Sequence, residues 1–301
     1  MTLSVAINTK NAALTLEKTL KSVKFADEIV VVDMHSTDDT VKIAQKYTDK
    51  IFQYKDVGFA DPARNFAFSK TTSEWILMID ADEVLSPGLI KYIKQVIQSK
   101  QAADIYLIPR QNVIFNKKMK YTGWWPDYQP RLFKKGHIDW PDKVHQHPVL
   151  TGNVKKVTAT EHLAILHLNY PDVSSFISRL NRYTSLQAHE ATHGFPETIN
   201  SGIIISNFFD EFFKRFFVFS GFKDNVVGTG MSFLQACYEL VVKLKIWELQ
   251  SSSHTDLSTI EVIRSLEKSR NHLNYWLADW HIKNSVGLKQ IYWKIRRKFQ
   301  F

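Results

Sequence analysis

Trp75-Ile76-Leu77-Met78-Ile79-Asp80-Ala81-Asp82-Glu83 is the stretch whose reading decides the fold. Five consecutive apolar residues without alternation fit a strand buried on both faces of a parallel sheet. Ser86-Pro87 follows, an N-cap with proline at the first helical position. The acids therefore sit where a central strand ends and the next helix begins, the edge at which open α/β sheets bind ligands. Carboxylates one residue apart at such an edge can share a hard divalent cation, or divide their work between a metal and a ligand hydroxyl. The plainer alternative is that Asp80, Asp82 and Glu83 solubilise a turn.

Working outward, residues 2–8, 28–32, 51–54 and 104–109 read as further strands. Helices are predicted over 11–23, from Ser36 to about Tyr47, from Asp61-Pro62 onward, and over 86–99. This alternation predicts an α/β fold with a doubly wound, mainly parallel sheet. The first turn lacks Gly-x-Gly-x-x-Gly, which argues against a dinucleotide fold of the oxidoreductase type. From Asn112 to about His167 the pattern turns short, aromatic and turn-rich, predicting a mixed-sheet half that builds a second pocket wall. Pro171-Asp172 opens a helix to about His189, and the chain after Pro196 reads as wholly helical. The expected division is 1–110, 111–195 and 196–301.

The 44% apolar content supports a sizeable core. A single cysteine, Cys237, excludes an internal disulfide and a cysteine-built zinc site. No secretory signal and no spanning helix are expected. Net charge is +9, and the last 14 residues, Leu288 to Phe301, hold five basic residues and no acid. Basic residues interleaved with Tyr292, Trp293, Phe299 and Phe301 suit an anionic membrane or a nucleic acid; a solvated helix end is the alternative. The expectation adopted is a peripheral membrane surface and no nucleic acid.

Three polar strand ends should share one sheet edge: Thr9-Lys10-Asn11, Asp33-Met34-His35-Ser36 and Asp80-Ala81-Asp82. A strand-end carboxylate such as Asp33 can accept hydrogen bonds from a base edge or a ribose. Arg64, near a helix N-terminus, can hold a diphosphate through charge-assisted bonds. Each has a structural alternative: Asp33 as a helix cap, Arg64 as a partner of Asp61.

Taken together, these motifs resemble those of family 2 glycosyltransferases. Asn8-Thr9-Lys10-Asn11, Val30-Val31-Val32-Asp33, Ser36-Thr37-Asp38-Asp39-Thr40, Ala63-Arg64-Asn65 and Asp80-Ala81-Asp82-Glu83 carry the likeness. It continues through Trp125 to Phe133, Val144-His145-Gln146, Phe213 to Asp224 and Lys245 to Glu248. The fuller pattern is similar to bacterial hexosyltransferases of the lipopolysaccharide core or related surface glycans. The resemblance implies a GT-A fold and inverting transfer from a nucleotide sugar, with a UDP-hexose the expected donor. It implies that Thr9, Asn11 and Asp33 bind the nucleoside, that Arg64 meets base or phosphate, and that Asp80 touches ribose or donor sugar. Asp82, with Asp80, would hold Mg²⁺ or Mn²⁺ against the diphosphate. The acceptor implied is a lipid-linked or lipopolysaccharide-core glycan, with the protein cytoplasmic and peripheral on the inner face of a bacterial membrane.

Two departures from the family pattern matter. Ala12 stands where an acid usually follows Asn11, and Gln146 stands where a glutamate usually follows Val-His. Gln146 cannot take the acceptor proton, although its amide can still bind an acceptor. A pseudoenzyme that binds sugar nucleotide or glycan without transfer is therefore the alternative reading. The remaining base candidates are Asp127, Asp142 and His145, with Asp127 favoured because Trp124, Trp125 and Arg131 around it make a plausible acceptor wall. His167 lies in the apolar run Leu163 to Leu168, where a satisfied core histidine is expected and a metal ligand is the alternative. The helix bearing Phe208, Phe209, Phe212, Phe213, Phe216, Phe217 and Phe219 is strongly amphipathic. Its Phe212, Phe213, Phe216 and Phe217 are assigned to an in-plane membrane anchor; internal packing and homo-oligomerisation are the alternatives.

Overall fold

The computed structural model describes residues 1–56, 61–141, 147–192, 198–250 and 258–299. The chain forms two compact units, Met1–Lys118 with Trp124–Pro171, and Met119–Gly123 with Asp172–Phe301. The first runs β1 (Leu3–Thr9), α1 (Leu16–Ser22), β2 (Glu28–Asp33), α2 (Thr40–Ala44), β3 (Ile51–Gln53), α3 (Asp61–Lys70), β4 (Trp75–Asp80), β5 (Glu83–Leu85) and α4 (Pro87–Gln98). It continues with β6 (Ile105–Ile114), β7 (Lys117–Lys118), β8 (Asp127–Lys134), β9 (Ile138–Asp139), β10 (Val149–Leu150), β11 (Val154–Lys156) and β12 (Ile165–Tyr170). The main sheet has the order β3-β2-β1-β4-β8-β6-β12-β5. Its first four strands are parallel, and β8 enters antiparallel between β4 and β6.

β4 explains why its sequence does not alternate. Leu77 and Ile79 join one buried cluster with Val5, Ile7 and Leu89. Ile76 and Met78 join a second with Ala6, Val30 and Ala63. Successive side chains of a strand point to opposite faces, so a strand covered on both sides is apolar throughout. Ser86 caps α4 by accepting from the Leu89 amide at 3.2 Å, with Pro87 in the first turn. Between these two elements the structure adds β5, antiparallel to β12. Glu83 is therefore a buried strand residue and not part of a solvated turn.

The second unit contains α5 (Val173–Ala191), α6 (Ser201–Phe213), α7 (Asn225–Leu249), α8 (Thr259–Lys283) and α9 (Gly287–Phe299), with a π-helical turn over Lys214–Val218. Asp172 starts α5 with a capping box to Ser175. α5 packs on α7 within this unit, although the sequence groups it with the preceding segment. The phenylalanines assigned to a membrane anchor pack internally instead. Phe212 meets Phe233 of α7 with ring centroids 4.4 Å apart, and Phe213 is buried. Phe216 meets Phe222, and Phe217 stacks on Trp276 of α8 at an interplanar angle of 8°. An apolar helix face buries itself on whatever apolar partner the tertiary fold offers, and here α7 and α8 are that partner. Among the described residues, no helix is long and apolar enough to cross a membrane.

Candidate active site

Register brings the polar strand ends together. Thr9 lies opposite Asp33, and Asn8 lies opposite Asp80. Asp33 and Asp80 thus flank β1 from its two sides, two strand spacings or roughly 10 Å apart. The loops beyond are tied to one another. Asn11 adopts a left-handed φ of 47° and accepts from the Thr37 amide at 2.8 Å, while its own amide donates to Ser36 Oγ at 2.8 Å. Asparagine tolerates that conformation better than most residues, so Asn11 acts as a brace between loops. Asp33 accepts from the Ser36 amide through Oδ2 at 3.0 Å. Its Oδ1, Thr9 Oγ1 and both polar atoms of Asn8 are buried without a hydrogen-bond partner among the described residues. Buried polar groups are costly when unpaired, and a ligand with complementary groups would offset that cost.

A second polar group covers one face of the neighbouring strands. Side chains two apart share a face, which aligns Arg110 with Asn112 on β6 and Asp127, Gln129 and Arg131 on β8. Arg110 lies directly opposite Asp127, Asn112 opposite His167, and His167 opposite Glu83. Arg131 Nη2 binds Asp80 Oδ2 at 2.5 Å and Glu83 Oε1 at 2.6 Å. Arg110 reaches Glu83 at 3.2 Å and grips Asp127 Oδ2 through Nη2 at 2.6 Å and Nε at 2.8 Å. Arg64, from α3, meets Asp80 Oδ1 at 3.2 Å and lies over the Trp140 ring. Three carboxylates, Asp80, Glu83 and Asp127, are thus matched by three guanidinia. Burial alone would raise the Asp80 pKa, but Arg131, Arg64 and Arg110 together hold it well below the usual carboxylate range.

Asp82, just past the tip of β4, faces His167: Nε2 lies 3.5 Å from Oδ2. Asn112 fixes the state of that ring. The Asn112 amide donates to Asp127 Oδ2 at 3.1 Å and to the Trp124 carbonyl at 3.0 Å, so its oxygen faces His167 Nδ1 at 2.7 Å. Nδ1 must then carry the hydrogen, and a neutral ring turns the Nε2 lone pair toward a carboxylate. Nε2 is thus the ring nitrogen that faces Asp82.

The comparisons with known proteins bear on this edge. The profile of Glycosyl transferase family 2 matches residues 4–153. Over 291 residues the chain is 31% identical to an uncharacterized glycosyltransferase of Rickettsia bellii, covering 89% of this chain and 96% of that protein. The chain belongs to glycosyl transferase family 2. It is a glycosyltransferase built on the GT-A-like mixed sheet of that family, followed by C-terminal helices. It is also 27% identical over 199 residues to the lipopolysaccharide core biosynthesis glycosyltransferase LpsC of Rhizobium meliloti, covering 62% of this chain and 71% of that one. Among solved structures, S. aureus TarS 1–349 in complex with UDP matches with a TM-score of 0.43 at 17% identity, over 86% of this chain and 95% of that one.

Within this glycosyltransferase, two sequence-predicted roles change place. Arg131, expected on an acceptor wall, is 1% exposed and committed to Asp80 and Glu83. Asp127, expected as the base, accepts from Arg110 and Asn112 through Oδ2 and from Gln129 Nε2 through Oδ1 at 2.7 Å. Burial pushes its carboxyl up, yet Arg110, Asn112 and Gln129 outweigh that and leave its pKa lowered. A carboxylate so well satisfied is a poor proton acceptor. Trp124 and Trp125 are half-buried, with the Trp124 ring edge-on to Tyr170. Asp142, His145 and Gln146 lie outside the described residues. The sequence does not single out Arg110, Asn112 or Gln129. On β8 the available signal was the spacing of two between Asp127, Gln129 and Arg131; on β6 the consecutive polar run Arg110-Gln111-Asn112 gave no such period.

Proposed function

We propose that this glycosyltransferase moves a hexose from a uridine diphosphate sugar to a lipid-linked or lipopolysaccharide-core glycan. One observation carries the reading: adjoining strand tips bring the unpartnered Asp33 Oδ1 and Thr9 Oγ1 to the same edge as Asp80 and Asp82. Asp33, Thr9 and Asn8 bind the nucleoside, and Asn11 braces the loops that carry it. Arg64, over Trp140 and against Asp80, turns its charge toward the diphosphate.

Asp82 and His167 fit a divalent cation. Nδ1 is held by Asn112, which leaves Nε2 as the donor aimed at Asp82. Asp82 and His167 would supply two protein donors to Mn²⁺ or Mg²⁺. When bound there, a divalent cation would offer electrostatic stabilisation of the leaving diphosphate. Asp80, bound by Arg131 and Arg64, stays ionised and positions the donor.

Asp127 is a positioning group, and the acceptor proton goes to Asp142 or His145. The test is release of UDP from UDP-hexoses with Mn²⁺ and added acceptor, after a thermal-shift screen of nucleotide sugars. Asp82→Ala and His167→Ala should each abolish Mn²⁺-stimulated release while the fold survives; retained stimulation removes the cation assignment. Asp142→Asn and His145→Gln divide the base role, since only the true base loses turnover with donor affinity kept. Donor binding without release in any acceptor mixture supports the pseudoenzyme reading that Gln146 motivates.

A further inference from the structure

α9, Gly287-Leu-Lys-Gln-Ile-Tyr-Trp-Lys-Ile-Arg-Arg-Lys-Phe299, has two unlike faces. Trp293, Gln290 and Arg297 form the inner one. Trp293 stacks on His281 of α8 with centroids 3.9 Å apart, Gln290 Nε2 donates to the Ile282 carbonyl at 3.0 Å, and Arg297 pairs with Asp279 at 2.7 Å. These contacts fix how the helix is rotated on α8. At about 100° per residue, Leu288, Ile291, Tyr292 and Ile295 fall together on the opposite side. They are exposed by 86%, 52%, 52% and 48%. Basic residues border this stripe on both sides, Lys289 and the half-buried Arg296, whose guanidinium lies over the Trp293 ring, along one edge and Lys294 and Lys298 along the other. No acid occurs anywhere in the helix.

We propose that this face of α9 is a lipid-binding surface, lying in the plane of an anionic bilayer interface. The apolar stripe enters the headgroup and acyl boundary, and the flanking cations meet lipid phosphates. Charge decides between lipid and a second copy of the chain. A twofold pairing through the stripe would set the same basic borders of both copies against each other, whereas an anionic surface neutralises both borders at once. The anchor thus belongs to α9, whose Leu288, Ile291, Tyr292 and Ile295 are exposed, and not to α6 and its π-helical turn, whose Phe212 and Phe217 pack on α7 and α8. The proposal does not depend on which sugar is transferred, because its test reads no turnover.

The full chain is mixed with sucrose-loaded vesicles of phosphatidylcholine, with and without about 30% phosphatidylglycerol, and sedimented. Binding is expected on the anionic vesicles and to fall steeply with salt. Ile291→Ser with Ile295→Ser should weaken partitioning by at least about tenfold. Lys289→Ala with Lys294→Ala should weaken it by about tenfold or more and flatten the salt dependence. Both double variants replace solvent-facing residues, so circular dichroism should match the parent. Replacing His281 by alanine, which frees Trp293, reports whether α9 must stay docked on α8. Three results overturn the proposal. These are no anionic-vesicle binding by the parent, equal binding by Ile291→Ser/Ile295→Ser, or a parent dimer that this variant turns to monomer with vesicle binding absent from both.

Discussion

Replacing Glu83 by alanine removes the carboxylate that links two buried arginines. Glu83 is fully buried, Arg131 nearly so, and Glu83 Oε1 meets Arg131 at 2.6 Å and Arg110 at 3.2 Å. Its Oε2 also accepts from the Asp80 amide at 3.1 Å, which holds the tip of β4. Breaking a buried pair by deleting one partner typically costs about 3–5 kcal/mol, because a charge is left without compensation. Here each guanidinium keeps one other carboxylate, Asp80 for Arg131 and Asp127 for Arg110. The expected loss therefore sits at the lower end, about 3 kcal/mol, and a slope of about 2 kcal/mol/M turns it into a fall of about 1.5 M in the urea midpoint. Both units carry tryptophan, so hydrogen exchange of the peptide over residues 75–85 is measured alongside fluorescence to assign the transition to the first unit. Pairing Glu83→Leu with Arg131→Met should recover part of the loss, since a well-packed apolar pair often replaces a buried ion pair at little cost. A loss under about 1 kcal/mol for Glu83→Ala would refute the view that this network holds the strand tips.

Asn112→Leu should lower Mn²⁺ affinity by about 10–100-fold while leaving nucleotide binding without metal unchanged, because His167 loses the partner that sets its tautomer; equal Mn²⁺ titrations for parent and variant would dismiss that role. Glu28 supplies the clearest pH dependence: burial pushes its carboxyl up, but Lys50, Ser4 and Thr72 outweigh this and bring it from 4.5 to about 2. A depressed folded pKa means that its contribution is fully present above about 4.5 and is lost as pH falls toward about 2, so Glu28→Gln should flatten the acid limb of stability in that window. Phe212→Ser should destabilise the helical unit by about 2 kcal/mol in thermal melts, since its ring is packed on Phe233 and only half-buried; an unchanged melt with vesicle binding lost would return the anchor to α6.

How much of the site is legible in the sequence follows from which interactions are local. The run from Trp75 to Ile79 marks β4 because burial on both faces removes alternation, and that places Asp80 and Asp82 at the ligand edge without any knowledge of partners. Asp33 and Thr9 follow by the same logic, since parallel strands of one sheet end together. Arg131 does not follow. Its role depends on Glu83, which reads as part of a turn because β5 is three residues long and its strand partner is β12, some eighty positions further on. Once Glu83 is a strand residue opposite His167, the charge of Arg131 is already answered by Glu83 and Asp80, and it cannot also serve an acceptor anion. The same step gives Asp127 an arginine partner, which motivates the proposal of a positioning role for it. Its position opposite Arg110 is set by the β6–β8 register, and a carboxylate with that partner holds its negative charge in place of taking a proton. Local pattern thus finds the acids at strand tips, while cross-strand register decides which carboxylates are bound to arginine.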